Sequence, residues 1–261
     1  MQLRDRVALV TGAGSGIGKA SAILLAKEGA RVAALSRTRE QLEETVSEIE
    51  AAGGEGMVVV ADTSKPDQVE GAVRQVVERW GRLDIVFANA GVNGVWAPIE
   101  ELEVDEWRKT VDINLTGTFL TLKYAVPHLK ERGGSVIVNA SVNGTRVFSN
   151  SGATAYASSK AGQVAMARML ALELATSKVR VNTICPGAIE TEIGENTEHR
   201  DLDRIGFPQE FPAGIHPLAG RPGTSDEVAQ LVLFLASDAA RHVTGTEIYV
   251  DGGESLLGLK G

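Results

Sequence analysis

The sequence has a single cysteine, Cys185, among its 261 residues. One cysteine cannot form a disulfide within the chain. Cys185 lies between an apolar run and a proline, and free cysteines in such surroundings are usually buried and pack like small apolar side chains. We therefore expect an inert thiol.

Long apolar runs and an excess of basic residues are also missing. No stretch approaches the ~18 apolar residues of a membrane-spanning helix, and the first residues lack the apolar core of a secretory signal. The net charge is −8 and the sequence pI is about 5.2, so no overall basic field attracts nucleic acid or an anionic membrane. We expect a cytoplasmic protein that binds neither nucleic acid nor membrane. No metal site is predicted.

No linker-like run of Pro, Ser or charge divides the chain. With 43% hydrophobic and 23% charged residues, its composition is that of a globular protein able to bury a full core. We expect residues 1–261 to form a single domain.

A glycine-rich turn near the N-terminus is the first feature that indicates a ligand. The Gly-x-Gly-x-x-Gly spacing is not satisfied from either Gly12 or Gly14, whereas Thr-Gly-x-x-x-Gly-x-Gly fits through Gly12, Gly16 and Gly18. A β-branched run precedes the turn and an Ala- and Leu-rich stretch follows it, which predicts strand, turn and helix. Such a turn brings backbone N–H groups and the positive end of a helix close to a pyrophosphate.

The end of the second predicted strand is where a dinucleotide-binding unit contacts the adenosine ribose. Ser36, Arg37 and Arg39 occupy this position, and no carboxylate comes before Glu40. Two guanidinium groups stand where a 2′-phosphate would lie, so we favour NADP(H) over NAD(H). The alternatives are that both arginines are solvated at the start of the next helix, or that Ser36 holds the ribose of NAD(H).

Polar or small residues also follow the next two predicted strands, as Asp62 with Thr63 and as Asn89 with Ala90 and Gly91. Asp62 either accepts a hydrogen bond from an adenine amino group or caps the following turn. Ala90 and Gly91 permit close approach of a ligand or of neighbouring backbone.

Tyr156 and Lys160 are the strongest candidates for chemistry. The Ala-, Leu- and Met-rich stretch after them predicts a helix, on which residues four apart share a face. Moving the pKa of a tyrosine down by about three units requires roughly 4 kcal/mol, which one ammonium ~4 Å away supplies at an effective dielectric of ~20. The alternative is a surface helix with an exposed lysine and a half-buried tyrosine.

Two further polar residues interrupt apolar surroundings. Asn114 lies in the middle of a long helical pattern over residues 102–129, where a poor helix former suggests a polar role. Ser141 ends the fifth predicted strand.

Because strands and helices alternate along the chain, we predict a parallel sheet covered on both faces, with ligands at the carboxyl ends of its strands.

Together these residues resemble the short-chain dehydrogenase/reductase family over essentially the whole chain. The matching pieces are the glycine turn, Asp62, the Asn-Ala-Gly turn, Asn114, Ser141, Tyr156 with Lys160, and Pro186 and Gly187 with Thr191. The resemblance implies an α/β, Rossmann-like single domain with a doubly wound sheet of seven parallel strands flanked by helices. It also implies a homotetramer that packs helices of residues 102–129 and 156–175 across an interface.

The resemblance further implies the roles of the site residues. Tyr156 exchanges a proton with the substrate oxygen as hydride crosses, and Ser141 hydrogen-bonds that oxygen. Lys160 lowers the pKa of Tyr156 and holds the nicotinamide ribose, while Asn114 anchors a water that links Lys160 to solvent. The implied cofactor-binding residues are Gly12, Ser15, Gly16, Ile17, Gly18, Ser36, Arg37, Asp62, Thr63, Asn89, Ala90, Gly91, Tyr156, Lys160, Pro186, Gly187, Ile189 and Thr191.

In two segments of the chain, the roles of family residues cannot be carried over directly. The interval between Ser141 and Tyr156 is longer than is usual in the family, so we expect the loop of residues 143–154 to have its own shape. Residues 190–220 show no clear period and combine several charges with Phe207, Pro208, Phe211 and Pro212. We interpret them as a substrate lid, with an irregular structural excursion as the alternative.

Three functions remain open from the sequence. The leading one is an NADP(H)-dependent oxidoreductase for a small carbonyl or secondary alcohol substrate. The others are an NAD(H)-dependent sugar or polyol dehydrogenase and a nucleotide-sensing protein without turnover. Substrates tethered to an acidic carrier protein are less attractive for a chain of charge −8.

Overall fold

Short β-branched runs form the strands of a parallel sheet in the computed structural model, which describes residues 1–191, 194, 197–206 and 216–257. In chain order the strands are β1 (Val7–Thr11), β2 (Arg31–Ser36), β3 (Glu55–Val60), β4 (Ile85–Ala88), β5 (Gly94–Trp96), β6 (Gly134–Asn139), β7 (Val179–Pro186), β8 (Thr197–His199) and β9 (Glu247–Val250). Seven of them form one sheet in the order β3-β2-β1-β4-β6-β7-β9, in which neighbouring strands pair in parallel. The predicted seven-stranded sheet is confirmed.

Helices cover both faces of this sheet. They are α1 (Gly16–Lys27), α2 (Arg39–Ala51), α3 (Pro66–Trp80), α4 (Val104–Val111), α5 (Gly117–Lys130), α6 (Thr154–Glu173) and α7 (Ser225–Ala236). Ala8 and Val10 of β1 belong to one apolar cluster, with α1, α2 and α7, whereas Val7 and Leu9 belong to a second cluster, with α3, α5 and α6. This alternation is what a strand buried on both faces requires. The doubly wound α/β prediction is therefore correct.

The long helical pattern predicted over residues 102–129 contains one interruption. Between α4 and α5, residues Asp112–Thr116 form a single π-helical turn, which carries Asn114. A π turn accommodates one extra residue in the helix and often marks a functional position. The predicted periodicity was right for the helix as a whole and did not anticipate this turn.

A second, two-stranded sheet was not predicted. Strands β5 and β8 pair in parallel, with Gly94 opposite Thr197 and Trp96 opposite His199. Three residues per strand are too few to show the alternation by which strands are found in a sequence. This sheet links the segment after β4 to the first part of the segment predicted as a lid.

The order of the large sheet reverses direction at β1, which has β2 on one side and β4 on the other. At such a switch point the connections leave in opposite directions and open a crevice at the carboxyl ends of the strands.

Cys185, near the end of β7, is fully buried, and burial raises the pKa of its thiol to about 12. The expectation of an inert thiol is confirmed. Within the described ranges, no helix combines the length and apolarity that crossing a bilayer requires.

Candidate active site

Tyr156 and Lys160 lie on the first turns of α6, and both side chains are buried, with 8% and 3% of their surface exposed. The Lys160 ammonium lies 5.6 Å from the centre of the Tyr156 ring. The one-turn spacing thus brings both side chains to the same space, as expected for residues four apart. The interpretation as a solvated surface pair is excluded by this burial.

The predicted lowering of the Tyr156 pKa is wrong for the residues of this chain. Burial raises the pKa of Tyr156 above its ordinary value, and a hydrogen bond with Ser141 only partly opposes this effect. Lys160 does not compensate, because burial lowers its own pKa to about 8 and its ammonium donates to the carbonyl oxygen of Asn139 at 2.7 Å. The sequence argument placed the charge near the phenol and omitted the desolvation of both groups.

Ser141 follows β6 and is fixed by the loop after it. Its hydroxyl oxygen accepts from the Asn143 backbone N–H at 3.1 Å, and its carbonyl oxygen accepts from the Thr145 hydroxyl at 2.9 Å. Gly144 has a φ of +88°, and a Cβ there would lie 2.3 Å from the carbonyl oxygen of Ala157. This turn therefore packs directly on the backbone of α6 and holds the serine beside Tyr156.

Asn114 is fully buried in the π turn and uses its amide as a clamp. Its Oδ1 accepts from the Val92 backbone N–H at 2.8 Å, and its Nδ2 donates to the Val92 carbonyl oxygen at 2.9 Å and to the Ser159 hydroxyl at 3.0 Å. Asn114 thus joins α6 to the chain that leaves the Asn-Ala-Gly turn. Its position suggested a polar role, and through these atoms the side chain joins two segments of the chain. The water that Asn114 is expected to anchor remains a prediction.

A hydrogen-bonded chain connects Lys160 to the glycine turn. Lys160 donates to the Asn139 carbonyl oxygen, the Asn139 Nδ2 donates to Asn89 Oδ1 at 2.8 Å, and the Asn89 Nδ2 donates to the Thr11 carbonyl oxygen at 3.0 Å. Sequence reasoning missed Asn139. The signal was available, because Asn139 is a polar residue at the carboxyl end of a buried strand.

The glycine turn is shaped by close contacts with this network. A Cβ on Gly12, whose φ is +66°, would lie 2.8 Å from Asn89 Nδ2, and a Cβ on Gly18 would lie 2.0 Å from the Gly12 carbonyl oxygen. Gly18 therefore permits α1 to pack on the turn and does not line the cleft. Beside this packing role, the contact of Gly18 with a cofactor remains a prediction.

The cleft between the glycine turn and the Tyr156–Lys160 pair has a volume of about 240 Å³. It gathers residues from the ends of four strands of the large sheet, β1, β4, β6 and β7. Its lining consists of Gly12, Ser15, Gly16, Ile17, Asn89, Ala90, Gly91, Asn139, Ala140, Ser141, Tyr156, Lys160, Pro186, Gly187, Ile189 and Thr191. Asn139 and Ala140 are the members that the sequence did not predict.

A second pocket of about 140 Å³ continues from Gly12 along the ends of β2 and β3. The predicted residues Ser36, Arg37, Asp62 and Thr63 line it, together with Gln41, which the sequence did not single out. Because these residues follow two neighbouring strands, as predicted, they line the same pocket. Gln41 was missed because it lies one turn into α2, away from any strand end.

Asp62 serves in part as a cap. Its Oδ1 accepts from the backbone N–H of Ser64 at 2.9 Å and from the Ser64 hydroxyl at 2.8 Å. Burial raises the pKa of Asp62, but these hydrogen bonds and the charges of Arg37 and Lys65 outweigh it and leave the pKa lowered. The capping alternative is thus realised, while the side chain still lines the pocket.

A cavity of about 470 Å³ adjoins the site on the side of the loop after Ser141. Asn143, whose backbone N–H contacts the Ser141 hydroxyl, is the nearest lining residue in the chain. The rest of the lining is Gly144, Val147, Phe148, Asn150, Ser151, Gly152, Ala153, Thr154, Ala157, Ser158, Ala161 and Ile205. Ile205 is the contribution of the segment predicted as a lid.

The described part of that segment is held by ion pairs. The Arg200 guanidinium contacts the Glu106 carboxylate through two hydrogen bonds, of 2.6 and 3.2 Å, and Arg204 contacts Glu101 at 2.6 Å. Residues 192, 193, 195, 196 and 207–215 lie outside the described residues, and with them the lid residues Phe207, Pro208, Phe211 and Pro212. The described portion is a short strand and a helical turn, which differs from the irregular excursion given as the alternative, and the interpretation of the segment as a substrate lid remains a prediction.

Comparison with known proteins places this geometry in a family. Residues 12–255 match a family model described as enoyl-(acyl carrier protein) reductase. A 3-oxoacyl-[acyl-carrier-protein] reductase of Thermotoga maritima is 39% identical over 97% of this chain and 99% of its own length. A cyclohexanol dehydrogenase of an Acinetobacter species is 37% identical over 96% of this chain and 95% of its own.

The solved structures agree with these sequences. The crystal structure of a 3-ketoacyl-ACP reductase from Sinorhizobium meliloti superposes with a TM-score of 0.92 at 50% identity, covering 97% of this chain and 100% of that one. The crystal structure of levodione reductase superposes with a TM-score of 0.87 at 35% identity, covering 98% and 100%. The chain belongs to the short-chain dehydrogenase/reductase family and is an oxidoreductase of that family.

Proposed function

We propose that this chain is an NADP(H)-dependent oxidoreductase that interconverts a small carbonyl compound and its secondary alcohol, with Tyr156 as the general acid and base. The observation that carries the proposal is the meeting of Tyr156, Ser141 and Lys160 in the cleft that starts at the glycine turn. A proton donor, a second hydrogen-bond donor and a cation then surround one place where an oxygen can sit.

The cleft fits a nicotinamide dinucleotide. Gly12 and Gly16 take positive φ values, and both line the cleft where backbone must approach a pyrophosphate closely. The first N–H groups of α1 point at the same place. Bound there, the cofactor supplies or accepts the hydride. Asn89, Ile189 and Thr191 would contact it along the cleft.

The residues of the chain favour the reducing direction. Because burial raises the pKa of Tyr156, its phenol is protonated at neutral pH and can donate to an oxygen that gains negative charge. Ser141 donates a hydrogen bond to the same oxygen. The Lys160 ammonium, held by the Asn139 carbonyl oxygen, has two further N–H groups with which to hold ribose hydroxyls.

The preference for NADP(H) rests on the pocket at the end of β2. Arg37 lines this pocket beside Ser36 and Asp62, and its charge lies close enough to help lower the pKa of Asp62. A 2′-phosphate in the pocket would meet a guanidinium group that makes no ion pair with a carboxylate of the described residues. Equal or tighter binding of NADH than of NADPH, measured as dissociation constants, would overturn this part of the proposal.

The 470 Å³ cavity beside Ser141 receives the body of the substrate. The relatives named cyclohexanol dehydrogenase and levodione reductase support a small alcohol or carbonyl substrate, whereas other relatives are named for acyl groups on a carrier protein. The described parts of residues 190–220, which contribute Ile205 to this cavity, form one wall of it, and we retain the proposal that the segment as a whole covers the substrate.

The same chain is proposed to act as a homotetramer in the cytoplasm. Helices α5 and α6 expose Phe119, Met169 and Leu172, with 48%, 74% and 83% of their surface accessible. Apolar side chains of this size on neighbouring helices support an interface between copies. Light scattering coupled to size-exclusion chromatography gives the number of chains directly, and a monomeric mass would contradict the proposal.

The decisive experiment follows the absorbance of the reduced cofactor. The protein is mixed with NADPH or NADH and a panel of ketones and aldehydes, and with the oxidised cofactors and a panel of secondary alcohols. We expect turnover with NADPH that exceeds turnover with NADH. Tight cofactor binding without turnover on any member of the panel would favour a nucleotide-sensing protein instead.

A further inference from the structure

Three segments border the reacting groups, and their charges are unbalanced. They are residues 89–101, residues 141–155 and the described part of residues 190–206, which contribute to the cleft, to the 470 Å³ cavity or to both. The sequence of these segments contains no lysine and only the arginines Arg146, Arg200 and Arg204. Against them stand six carboxylates among the described residues, which are Glu100, Glu101, Glu190, Glu198, Asp201 and Asp203.

Two of the three arginines are occupied by carboxylates of the protein itself. Arg200 contacts Glu106 at 2.6 Å and Glu198 at 3.0 Å, and donates to the Glu101 carbonyl oxygen at 2.9 Å. Arg204 contacts Glu101 at 2.6 Å, and Glu100 lies 3.9 Å away. An anionic substrate would have to displace these partners, because a guanidinium fork binds one carboxylate in bidentate fashion.

The third arginine, Arg146, is held against the sheet. Its guanidinium lies 3.4 Å from the centre of the Tyr249 ring, a cation–π contact. It also faces Asp251. Burial raises the pKa of Asp251, but hydrogen bonds from Ser255 and Gly253 and the charge of Arg146 outweigh burial, so this pKa is lowered. Arg146 is absent from the lining of the 470 Å³ cavity.

The cavity itself offers neutral groups. Its described lining is apolar at Val147, Phe148 and Ile205 and polar but uncharged at Asn143 and Asn150, and no charged residue belongs to it. A carboxylate or phosphate that enters such a cavity loses its hydration without gaining an ionic partner. A carbonyl compound without charge loses much less.

We propose that the substrate of this site is a neutral carbonyl compound or alcohol, and that the site discriminates against substrates with a carboxylate or phosphate near the reacting carbon. This inference rests on the proposed function and specifies its substrate class.

A matched pair of ketones tests the inference. Ethyl levulinate and levulinate carry the same ketone and differ by one charge and an ethyl group. Levulinamide, which is neutral and close to levulinate in size, controls for the ethyl group. We expect the ester to have a kcat/KM about 5- to 30-fold higher, which corresponds to about 1–2 kcal/mol for one uncompensated charge near a protein surface. The difference should shrink as salt is added, because salt screens the carboxylates around the site. Equal rates for the two ketones, or faster reduction of levulinate, would overturn the inference and leave the proposed oxidoreductase intact.

A cation placed in the cavity sharpens the test. Phe148 lines the cavity and is 70% exposed, so an arginine can replace it without entering the core. For Phe148→Arg we expect the ratio of levulinate to ester kcat/KM to rise about tenfold, and for the matched neutral variant Phe148→Gln we expect no rise. An unchanged ratio in Phe148→Arg contradicts the inference.

Binding separates failure of this inference from failure of the proposed function. If neither ketone is reduced although NADPH binds, the proposed function fails. Calorimetric titration of the NADP⁺ complex with the two ketones then still measures the discrimination. Tighter binding of the ester supports the neutral site, and tighter binding of levulinate refutes it.

Discussion

The two halves of the site are built by different means. On the cofactor side, the glycine turn, Asn89, Asn139 and Lys160 are joined by buried hydrogen bonds of 2.7 to 3.0 Å, and backbone approaches backbone without room for a Cβ. On the substrate side, the three-residue strands β5 and β8 are held by arginine–glutamate pairs whose side chains are partly exposed. The first half is part of the core, and the second half is fastened to its surface.

This difference indicates how the family fold serves many substrates. Contacts made by buried backbone tolerate almost no substitution, because a new atom has nowhere to go. Surface ion pairs contribute little to stability individually, so the residues that hold the substrate side can change without unfolding the domain. Function is then altered on one half while the other half stays fixed.

The largest expected effect lies where the halves meet. Tyr156→Phe removes the proton donor and keeps the ring that fills the site, so we expect turnover to fall by at least about 10³-fold, in line with the loss of general acid catalysis. The dissociation constant for NADPH should stay within about twofold, since the phenol hydroxyl contributes little to a dinucleotide of this size. Steady-state rates and a fluorescence titration measure the two quantities. A variant that retains the wild-type rate would remove Tyr156 from the mechanism.

The next effect tests the rigidity of the cofactor half. In Gly18→Ala the new Cβ would meet the Gly12 carbonyl oxygen and Asn89 Nδ2 at 2.0 and 2.6 Å. We expect a loss of at least about 2 kcal/mol in the free energy of unfolding, with weaker NADPH binding. Urea titration measures the first quantity and fluorescence titration the second.

Gly71→Ala is the matched control for Gly18→Ala. Gly71 lies in α3, and its Cβ would meet no atom closer than 3.8 Å. Alanine is the better helix former, so this variant should gain up to ~1 kcal/mol in the free energy of unfolding. If both variants lose stability equally, the glycine turn is not the constrained element described here.

Arg37→Ala tests whether Arg37 makes the cofactor half bind NADPH more tightly than NADH. We expect the dissociation constant of NADPH to rise about 10- to 100-fold and that of NADH to change by less than about threefold, because only NADPH carries the phosphate that a guanidinium would bind. Arg39→Ala is the control, since Arg39 lies 3.5 Å from Glu43 on the outer face of α2. An equal loss for both cofactors would assign Arg37 a general role at the adenosine.

The cofactor half was largely predictable from the sequence, and the substrate half was not. A strand that ends in a glycine or a polar residue reveals a cleft position through local spacing alone, and Gly12, Asp62, Asn89 and Ser141 were all found in this way. Strands β5 and β8 are three residues long and pair across about a hundred positions of sequence, a contact that no local pattern encodes.

The desolvation of buried side chains is the second effect that the sequence did not reveal. The helical spacing of Tyr156 and Lys160 correctly places both side chains in one space, but burial acts on each of them separately and has no signature in the spacing. The same is true of Asn139, whose importance depends on Lys160 and Asn89 meeting it from two other elements. Such cross-element contacts are properties of the folded chain.

The pH dependence of the reaction reports this burial. Burial lowers the pKa of Lys160 to about 8 from 10.5, so its ammonium is present below pH 8 and lost above it. Tyr156, with a raised pKa, remains protonated over the same range. We therefore expect kcat/KM for ketone reduction to fall with rising pH through about 8, by up to tenfold per unit, and we expect Lys160→Met to lack this limb.

Stability should change in the opposite direction over the same range. Because the folded pKa of Lys160 lies below its unfolded value, the unfolded chain binds more protons between about pH 8 and 10.5, and the contribution of this group to the free energy of unfolding rises with pH. Comparing wild type with Lys160→Met at several pH values isolates that contribution. A kcat/KM that stays flat through pH 8 would show that Lys160 keeps its proton.

The smallest effect separates the two halves most directly. Arg200 and Arg221 each make paired hydrogen bonds to a glutamate at the third position of a helix, Glu106 in α4 and Glu227 in α7, where each glutamate also closes a capping box. Only the first pair fastens the wall that carries Ile205. In Arg200→Gln we expect KM for the ketone to rise about three- to fivefold with an unchanged NADPH dissociation constant, as for loss of a group that only positions the substrate.

Arg221→Gln is the matched control and should leave KM for the ketone unchanged, because Arg221 and Glu227 lie outside the segment that contributes Ile205 to the cavity. A reversed pair, Arg200→Glu with Glu106→Arg, should restore part of the lost KM if the ion pair itself positions the wall. Because the sum of the charges stays the same, this restoration cannot come from a changed field at the site. If Arg200→Gln instead raised the NADPH dissociation constant, the two halves would be mechanically coupled and the division between them would not hold.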